Sequence, residues 1–208
     1  IEAGAKVLGN IKDGIDFSLE DDYYGDTRFH IPFIAWYQVM NASLALTTME
    51  VLKDRIPVTM EQLQAGIANT RWQGRMETIL PGVIVDGAHN EDGVRRFVET
   101  AERFQKEYPL TLLFSAVNDK DYQDMIHTIC SRIKFRKVVT TEVGGYREVP
   151  SAELAEIFCK EGCKDIGNSD NIEEAFHMAH EAKGEDGMLF CVGSLYLVGE
   201  IKTLLLKK

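Results

Sequence analysis

The chain has 208 residues, of which 45% are hydrophobic, so it is long enough for one large domain or for one domain and part of another. Its formal net charge of −10 disfavours nucleic acid as a partner, because binding to a phosphate backbone requires a cationic surface. No stretch approaches the roughly 18 apolar residues of a membrane-spanning helix, and no apolar secretion signal opens the chain. We therefore expect a cytoplasmic protein with no membrane partner. Because the first residue is Ile rather than Met, we also expect a portion of a longer polypeptide.

The N-terminal part is rich in Gly and Asp, with short strand-like pieces, and it leads into a helix. The helix is indicated by apolar residues at helical spacing: Val39, Ala42, Leu46 and Met49. Thr59 and Gln62 then form a capping-box pattern, which starts a second helix that we expect to reach Ala68. We predict three segments: an incomplete domain at 1–55, a linker helix region at 56–71 and a complete domain at 72–208.

Two strand patterns, METIL and GVIVDG, flank the turn pair Pro81–Gly82 and predict a β-hairpin. Strand and helix patterns then alternate to the C-terminus, with LTLLFSAV, KVVTTEV and GMLFCVG as the expected strands. Ser151 and Asn171 are expected to cap two of the helices between them. This order predicts an α/β fold with a mostly parallel sheet and helices on both faces.

The four cysteines include no CxxC pair: they are Cys130, Cys159, Cys163 and Cys191. We interpret them as reduced thiols, most of them in the core. Cys159 and Cys163 are four residues apart and share a helix face if their segment is helical. His177 and His180 have no third ligand nearby, so we predict no metal site in this chain.

Polar residues follow each predicted strand, and open parallel sheets bind ligands beyond the carboxyl ends of their strands. The polar groups are Asp86–Asn90, Asn118–Asp121, Gly144–Arg147 and Gly193–Ser194. Simpler roles stay open, because Asp86–Asn90 can cap a helix and Asn118–Asp121 can form a capped loop. Ser194 can be an N-cap, or it can mark free N–H groups aimed at a carboxylate or phosphate. No GxxxxGK[ST] phosphate loop occurs in the chain.

Four motifs, in order along the chain, resemble those of the Mur ligase superfamily and specifically of its folylpolyglutamate synthases. They are YQVMNASLAL from Tyr37, W-x-G-R-x-E with DGAHN at 72–90, NDKDYQDMI from Asn118 and VGSLYLVGEI from Val192. Two positions depart from the family pattern: Tyr37 stands where His is common, and Glu91 follows DGAHN where Pro is frequent.

The resemblance implies a C-terminal Rossmann-like domain preceded by a short remnant of the family's central ATPase domain. It also implies an ATP-dependent ligase, in which ATP activates the γ-carboxylate of a reduced folate as an acyl phosphate and L-glutamate then attacks. ATP and Mg²⁺ are the implied cofactors. The phosphate loop and the metal ligands of the family precede the part of the protein seen here. We therefore expect this chain to be monomeric and inactive without an N-terminal P-loop domain of the same polypeptide.

The resemblance also assigns roles to individual residues. Arg75, Asp86 and His89 are the implied ATP-binding residues, with Arg75 on phosphate oxygens and Asp86 on ribose hydroxyls. His89 is the candidate catalytic residue, because it can donate to a phosphate oxygen and change its charge in response. Ser194 is the candidate glutamate-binding residue at a helix N-terminus. We expect Glu77 to position Arg75. We expect Asn90 to organise its loop or cap the helix that follows, and Tyr196 to have a packing role.

Three alternatives remain open at the level of sequence. The first is a bifunctional dihydrofolate synthase/folylpolyglutamate synthase, and the second is another Mur-type ligase that adds amino acids to cell-wall precursors. The third is a binding module that keeps the fold without catalysis. An upstream phosphate loop in the same reading frame would favour an enzyme over a module.

Overall fold

The computed structural model describes residues 4–9, 14–145 and 147–206. The chain divides into two compact units, Ile1–Trp72 and Gln73–Lys208. Tyr146, one of the polar residues noted after the third expected strand, lies outside the described residues, as do parts of the first strand-like segments.

The first unit contains a small antiparallel sheet and two helices. Its strands pair in the order β1 (Ala5–Gly9), β2 (Ile15–Leu19), β3 (Phe29–Ile31), and they are followed by α1 (Trp36–Val51) and α2 (Met60–Ala68). Alternate residues of β2 are buried, so one face of the sheet packs on α1. Thr59 and Gln62 form the expected capping box at the start of α2. The helix packs on the same core through Met60, Leu63 and Ile67.

The second unit is built on a six-stranded sheet with the strand order β4-β5-β9-β6-β7-β8. The strands are β4 (Glu77–Leu80), β5 (Val83–Asp86), β6 (Leu110–Phe114), β7 (Phe135–Thr141), β8 (Ile166–Ser169) and β9 (Met188–Val192). Only β4 runs antiparallel to its neighbour, as the first strand of the expected hairpin, and the other described pairings in this sheet are parallel. The predicted α/β fold with a mostly parallel sheet is therefore confirmed.

Helices cover both faces of this sheet. They are α3 (Glu91–Phe104), α4 (Tyr122–Arg132), α5 (Ser151–Lys160), α6 (Ile172–Lys183) and α7 (Leu195–Leu206). On one face, Phe190 of β9 contacts Phe97 of α3, and Phe114 of β6 contacts Phe158 of α5. On the other face, α6 and α7 pack on the alternate residues of the same strands, including Leu113. Burial on both faces explains why β5 and β6 are almost continuously apolar.

One local prediction requires correction, and the condition attached to Cys159 and Cys163 is not met. Ser151 is not an N-cap, because Pro150 occupies that position and Ser151 is already the first residue of α5. Its hydroxyl instead donates to Asp170 Oδ1 at 2.5 Å. Cys159 and Cys163 do not share a helix face, because α5 ends at Lys160. The caps expected at Asn90 and Asn171 are confirmed, since each side chain accepts a hydrogen bond from a first-turn N–H.

Candidate functional site

The sequence-predicted site residues meet at the carboxyl edge of the second unit's sheet. In the parallel register, Asp86 lies beside Val192, and Val192 lies beside Phe114, so β5, β9 and β6 end at the same level. Because β4 runs antiparallel, its start at Glu77 pairs with Val85 and lies at this edge too. The segments that carry Arg75, His89 and Ser194 therefore leave the sheet at the same edge. This is the edge expected from a run of parallel strands, each followed by polar residues.

Asp86 is the buried centre of this edge, with a relative exposure of 2%. Its Oδ2 accepts the Met76 N–H at 2.8 Å, and its Oδ1 accepts the Ala88 N–H at 2.8 Å. The Gly87 N–H also donates to the Gly74 carbonyl at 2.7 Å. Asp86 therefore joins the segment before β4 to the segment after β5, which fixes the positions of the neighbouring Arg and His.

Burial raises the pKa of Asp86 to about 6, even though several neighbours favour the ionised form. Those neighbours are the two backbone N–H donors and the positive charges of Arg75 and His89. Desolvation exceeds their combined effect because the carboxyl group has almost no contact with water. The proximity of its cationic neighbours is therefore part of what keeps Asp86 charged near neutral pH.

Met76 adopts a backbone conformation that non-glycine residues rarely adopt, with φ at 46°, and its side chain is buried. This conformation costs on the order of 1–2 kcal/mol for an L-residue with a side chain. The hydrogen bond to Asp86 and the buried side chain offset that cost. Backbone strain of this kind concentrates at functional sites, where the surrounding structure holds a segment in place.

His89 is half-buried, and its Nδ1 lies 2.8 Å from the Gly87 carbonyl oxygen. A carbonyl oxygen can only accept, so we infer that Nδ1 carries a proton. The other ring nitrogen, Nε2, then accepts a hydrogen bond when the ring is neutral and donates one when the ring is protonated.

Arg75 is half-buried, two residues before β4. Within the described ranges no hydrogen bond or ion pair engages its guanidinium group, although its charge acts on Asp86. The expectation that Glu77 positions Arg75 is wrong. Glu77 instead accepts from the Gly74 N–H at 2.7 Å and from Lys202 Nζ at 2.7 and 3.0 Å.

Ser194 is buried and directly precedes α7. Its Oγ accepts the Tyr196 N–H at 3.1 Å, which is the N-cap interaction left open by the sequence. A hydroxyl that accepts through one lone pair can still donate its hydrogen, so the cap does not exclude ligand binding. Gly193, which precedes it, has φ of 108°, and a Cβ there would lie 2.0 Å from the Ser115 carbonyl oxygen.

The same edge holds an interaction that the sequence did not reveal. Arg147 donates to Asp119 Oδ2 at 3.0 Å and to the Tyr196 hydroxyl at 3.1 Å, so two loops and the first turn of α7 are connected. The packing role expected for Tyr196 is wrong, since its side chain is 57% exposed. Asp119 and Arg147 stood in the polar groups noted after the strands, and Tyr196 in the VGSLYLVGEI motif. Their pairing depends on strand order, which no local pattern encodes.

Among the described residues, no group of three His, Cys, Asp or Glu side chains is arranged to hold a metal ion. No helix in the same part of the chain has the length and apolar character needed to cross a bilayer.

A mostly parallel sheet with helices on both faces and polar groups at its carboxyl edge defines the class of the second unit: a Rossmann-like α/β domain. Residues 74–195 match the family described as Mur ligase, glutamate ligase domain. The match covers more than half of the chain, and the chain belongs to this family.

Similar proteins and structures agree with that assignment. The chain is 30% identical over 194 residues to a dihydrofolate synthase/folylpolyglutamate synthase of Bacillus subtilis, covering 89% of this chain and 43% of that protein. It is 26% identical to a probable dihydrofolate synthetase of Schizosaccharomyces pombe, covering 86% of this chain and 45% of that protein.

Among solved structures, a Mycobacterium tuberculosis folylpolyglutamate synthase complexed with ADP and AMPPCP has a TM-score of 0.77 at 24% identity, covering 98% of this chain and 48% of that one. A bifunctional folylpolyglutamate synthase/dihydrofolate synthase of Yersinia pestis, complexed with AMPPNP and a Mn ion, has a TM-score of 0.72 at 17% identity. It covers 98% of this chain and 46% of that one. These structures support the fold. The chain spans slightly less than half the length of each of these relatives.

Proposed function

We propose that the chain supplies the C-terminal part of a folylpolyglutamate synthase, an ATP-dependent ligase that adds L-glutamate to the γ-carboxylate of folates. The observation that carries this proposal is the convergence of Arg75, His89 and Ser194 on one sheet edge. The names of the relatives support the substrate class.

The donor set fits an anionic nucleotide. Arg75 offers a permanent cation with hydrogen-bond donors, and His89 offers Nε2 as a second donor once it is protonated. ATP, when bound, would supply the phosphoryl group that activates the carboxylate. The residues of this chain would stabilise the negative charge that develops there, with His89 as the catalytic contact. Mg²⁺ would be held by residues outside this chain, since the described residues offer no ligand cluster.

Asp86 has two proposed contributions. It holds Met76 and Ala88 through its carboxylate oxygens, and each of those oxygens keeps a second lone pair for a ribose hydroxyl. Ser194 would bind the incoming L-glutamate, because a carboxylate suits a helix N-terminus and the serine hydroxyl can donate to it.

We further propose that residues 1–55 belong to a larger central ATPase domain, with 56–71 as the connecting helix region and 72–208 as the C-terminal domain. The support lies in α1, which is apolar on more than its core-facing side. Leu44 is 62% exposed and Val51 is 78% exposed, although both belong to a helix that also buries Val39 and Leu46. Large apolar side chains exposed beside the buried face of one helix are typical of a surface that another part of the protein covers.

Ligation of L-glutamate by the full-length polypeptide tests the main proposal. With ATP, Mg²⁺, tetrahydrofolate and radiolabelled L-glutamate, we expect a labelled folate product and one ADP for each glutamate added. The 208-residue chain alone should form no product, because it contains no GxxxxGK[ST] loop. Product formation by the chain alone would sink the inactivity claim, and its absence with the full-length protein would sink the proposed function.

Dihydrofolate synthase activity is the second candidate, because the Bacillus subtilis relative bears both names and the Schizosaccharomyces pombe relative bears that one. Parallel assays with dihydropteroate and with tetrahydrofolate as acceptor separate the two activities. Product from both acceptors would indicate a bifunctional enzyme, and product from tetrahydrofolate alone would indicate a folylpolyglutamate synthase.

A further inference from the structure

Two cysteine thiols meet at the ends of neighbouring helices in the second unit. Cys130 lies in the last turn of α4, and Cys163 lies between the end of α5 and the start of β8. Their Sγ atoms are 3.6 Å apart, although 33 positions separate them in sequence. Both residues are half-buried, so the pair is in contact with solvent. Neither thiol belongs to the candidate ligase site.

The position of Cys163 is fixed by the turn that ends α5. Gly162 has φ of 92°, its N–H donates to the Cys159 carbonyl at 3.0 Å, and the Cys163 N–H donates to the Phe158 carbonyl at 3.1 Å. These two bonds form a Schellman motif, a common helix ending that requires a left-handed residue.

A second contact joins the same two segments. His127 Nδ1 on α4 lies 3.0 Å from Glu161 Oε2 in the turn. The approach of the two sulfur atoms is therefore supported on each side by backbone and side-chain contacts, rather than by a single side-chain rotation.

We propose that Cys130 and Cys163 form a reversible dithiol/disulfide site that is oxidised by small disulfides of the glutathione class. A disulfide bond is about 2.05 Å long, so the two sulfur atoms need to approach by only about 1.5 Å from their 3.6 Å separation. The other two thiols lack such a partner among the described residues. Cys159 is exposed, whereas Cys191 is fully buried in the sheet.

The two thiols are not chemically equivalent. A hydrogen bond from the Cys130 thiol lowers the pKa of Cys163, while burial and the charge of Glu161 act in the opposite direction. The same hydrogen bond raises the pKa of Cys130, and burial adds to that shift. Cys163 therefore loses its proton first and is the attacking group, since the thiolate is the nucleophile.

The reaction proceeds by two exchanges. The Cys163 thiolate attacks one sulfur of the small disulfide, forms a mixed disulfide and releases one small thiol. Cys130 then loses its proton and attacks Cys163 Sγ, which forms the protein disulfide and releases the second small thiol. The small disulfide is reduced to two thiols, and the protein pair is oxidised.

Mass spectrometry after exposure to oxidised glutathione tests the proposal. The chain is incubated with the disulfide under native conditions, free thiols are blocked with N-ethylmaleimide, and the peptides are mapped. We expect a linked peptide between Cys130 and Cys163, and its loss on treatment with dithiothreitol. Cys130→Ser should leave Cys163 as a stable glutathione adduct, and the matched control Cys159→Ser should form the same link as the wild type.

Thermal unfolding provides an independent measurement, because a closed loop of this length restricts the unfolded chain. We expect the oxidised protein to melt roughly 5–10 °C above the reduced protein. Persistent glutathione adducts on both cysteines, a link through Cys159, or no reaction at all would overturn the proposal.

Gly162→Ala tests the geometric basis while leaving all thiols in place. A Cβ there meets no atom within 4 Å, but φ of 92° disfavours any residue with a side chain. The turn should shift, and the rate at which the mixed disulfide resolves to the linked form should fall several-fold. An unchanged rate would show that the turn does not set the approach of the sulfur atoms, and the proposal would fail.

Discussion

The two edges of the second unit's sheet differ in how their charged side chains are paired. At the amino edge, cations are matched by carboxylates: Arg132 donates to Glu102 at 2.8 Å, Arg136 to Asp186 at 3.0 Å and Lys137 to Asp165 at 2.8 Å. The carboxyl edge has ion pairs too, Arg147 with Asp119 and Lys202 with Glu77. It differs because Arg75 has no ion pair among the residues that the structure describes, and because burial raises the pKa of Asp86.

This difference separates stabilising chemistry from binding chemistry. Paired surface charges contribute little and are screened by salt, but they leave no group in need of a partner. The carboxyl edge combines a strained Met76 backbone, a buried carboxyl group and a cation without an ion pair, and each of these carries a free-energy cost. Sites of this kind sacrifice some stability for a function. Changes at the carboxyl edge should alter activity, and changes at the amino edge should alter only stability.

Gly193→Ala should produce the largest effect. The added Cβ would lie 2.0 Å from the Ser115 carbonyl oxygen, which is backbone and cannot move aside, and φ of 108° is unfavourable for Ala. We expect the free energy of unfolding to fall by about 4 kcal/mol or more, measured by urea denaturation. Gly199→Ala, in α7, is the matched control: no atom lies within 4 Å of its Cβ, so it should stabilise by about 0.5–1 kcal/mol. Equal effects at both positions would contradict the packing described.

Arg75→Ala should impair activity with little effect on folding. In the full-length enzyme we expect kcat/KM to fall by roughly 10²–10³, typical of removing one donor to developing charge. The matched control Arg96→Ala removes an exposed arginine that pairs with Glu99 at 3.2 Å, and it should leave the kinetics unchanged. Similar kinetics for the two variants would remove Arg75 from the proposed site.

Asp86 should titrate near pH 6, and the NMR chemical shift of its carboxyl carbon, followed against pH, measures this. Its pKa is higher in the folded state than the ordinary value of 3.8, so the folded state binds the proton more strongly between these values. The contribution of Asp86 to stability therefore rises as the pH falls from 7 to 4, by about 2 kcal/mol for a shift of this size.

The free energy of unfolding of the wild type minus that of Asp86→Asn, followed over this range, reports the contribution of Asp86. A titration midpoint of Asp86 near pH 4 would show that burial does not dominate its pKa. A free-energy difference between the two proteins that shrinks on acidification would show the same.

Glu102 and Arg132 should show the smallest effect. A double-mutant cycle with Glu102→Ala and Arg132→Ala should give a coupling free energy of about 0.2–1 kcal/mol, since the pair is partly exposed. High salt should reduce the coupling, and ligase activity should not change in any of the three variants. A loss of ligase activity in these variants would contradict the proposed difference between the two edges.

The hairpin at 77–86 and the Thr59 capping box were predictable because each depends on residues close in sequence. The strand β8 was missed, since its sequence, IGNS, is short, polar and at the edge of the sheet, so it lacks an apolar signal. The Ser151 cap was mispredicted because Pro150 in the extended conformation already occupies the N-cap position. Convergence of the strand ends was predicted, but the partners of Glu77 and Tyr196 were not.

The sequence by itself determined the secondary structure of the second unit apart from β8, the family and the edge at which polar groups collect. These features follow from periodicity, turn residues and the one-directional run of parallel strands. Only the tertiary structure placed β9 between β5 and β6, which brings Ser194 beside the loop that follows Asp86. It also paired Lys202 with Glu77 and Cys130 with Cys163. Such contacts join residues tens of positions apart, and they are selected by the packing of helices and strands rather than by any local pattern.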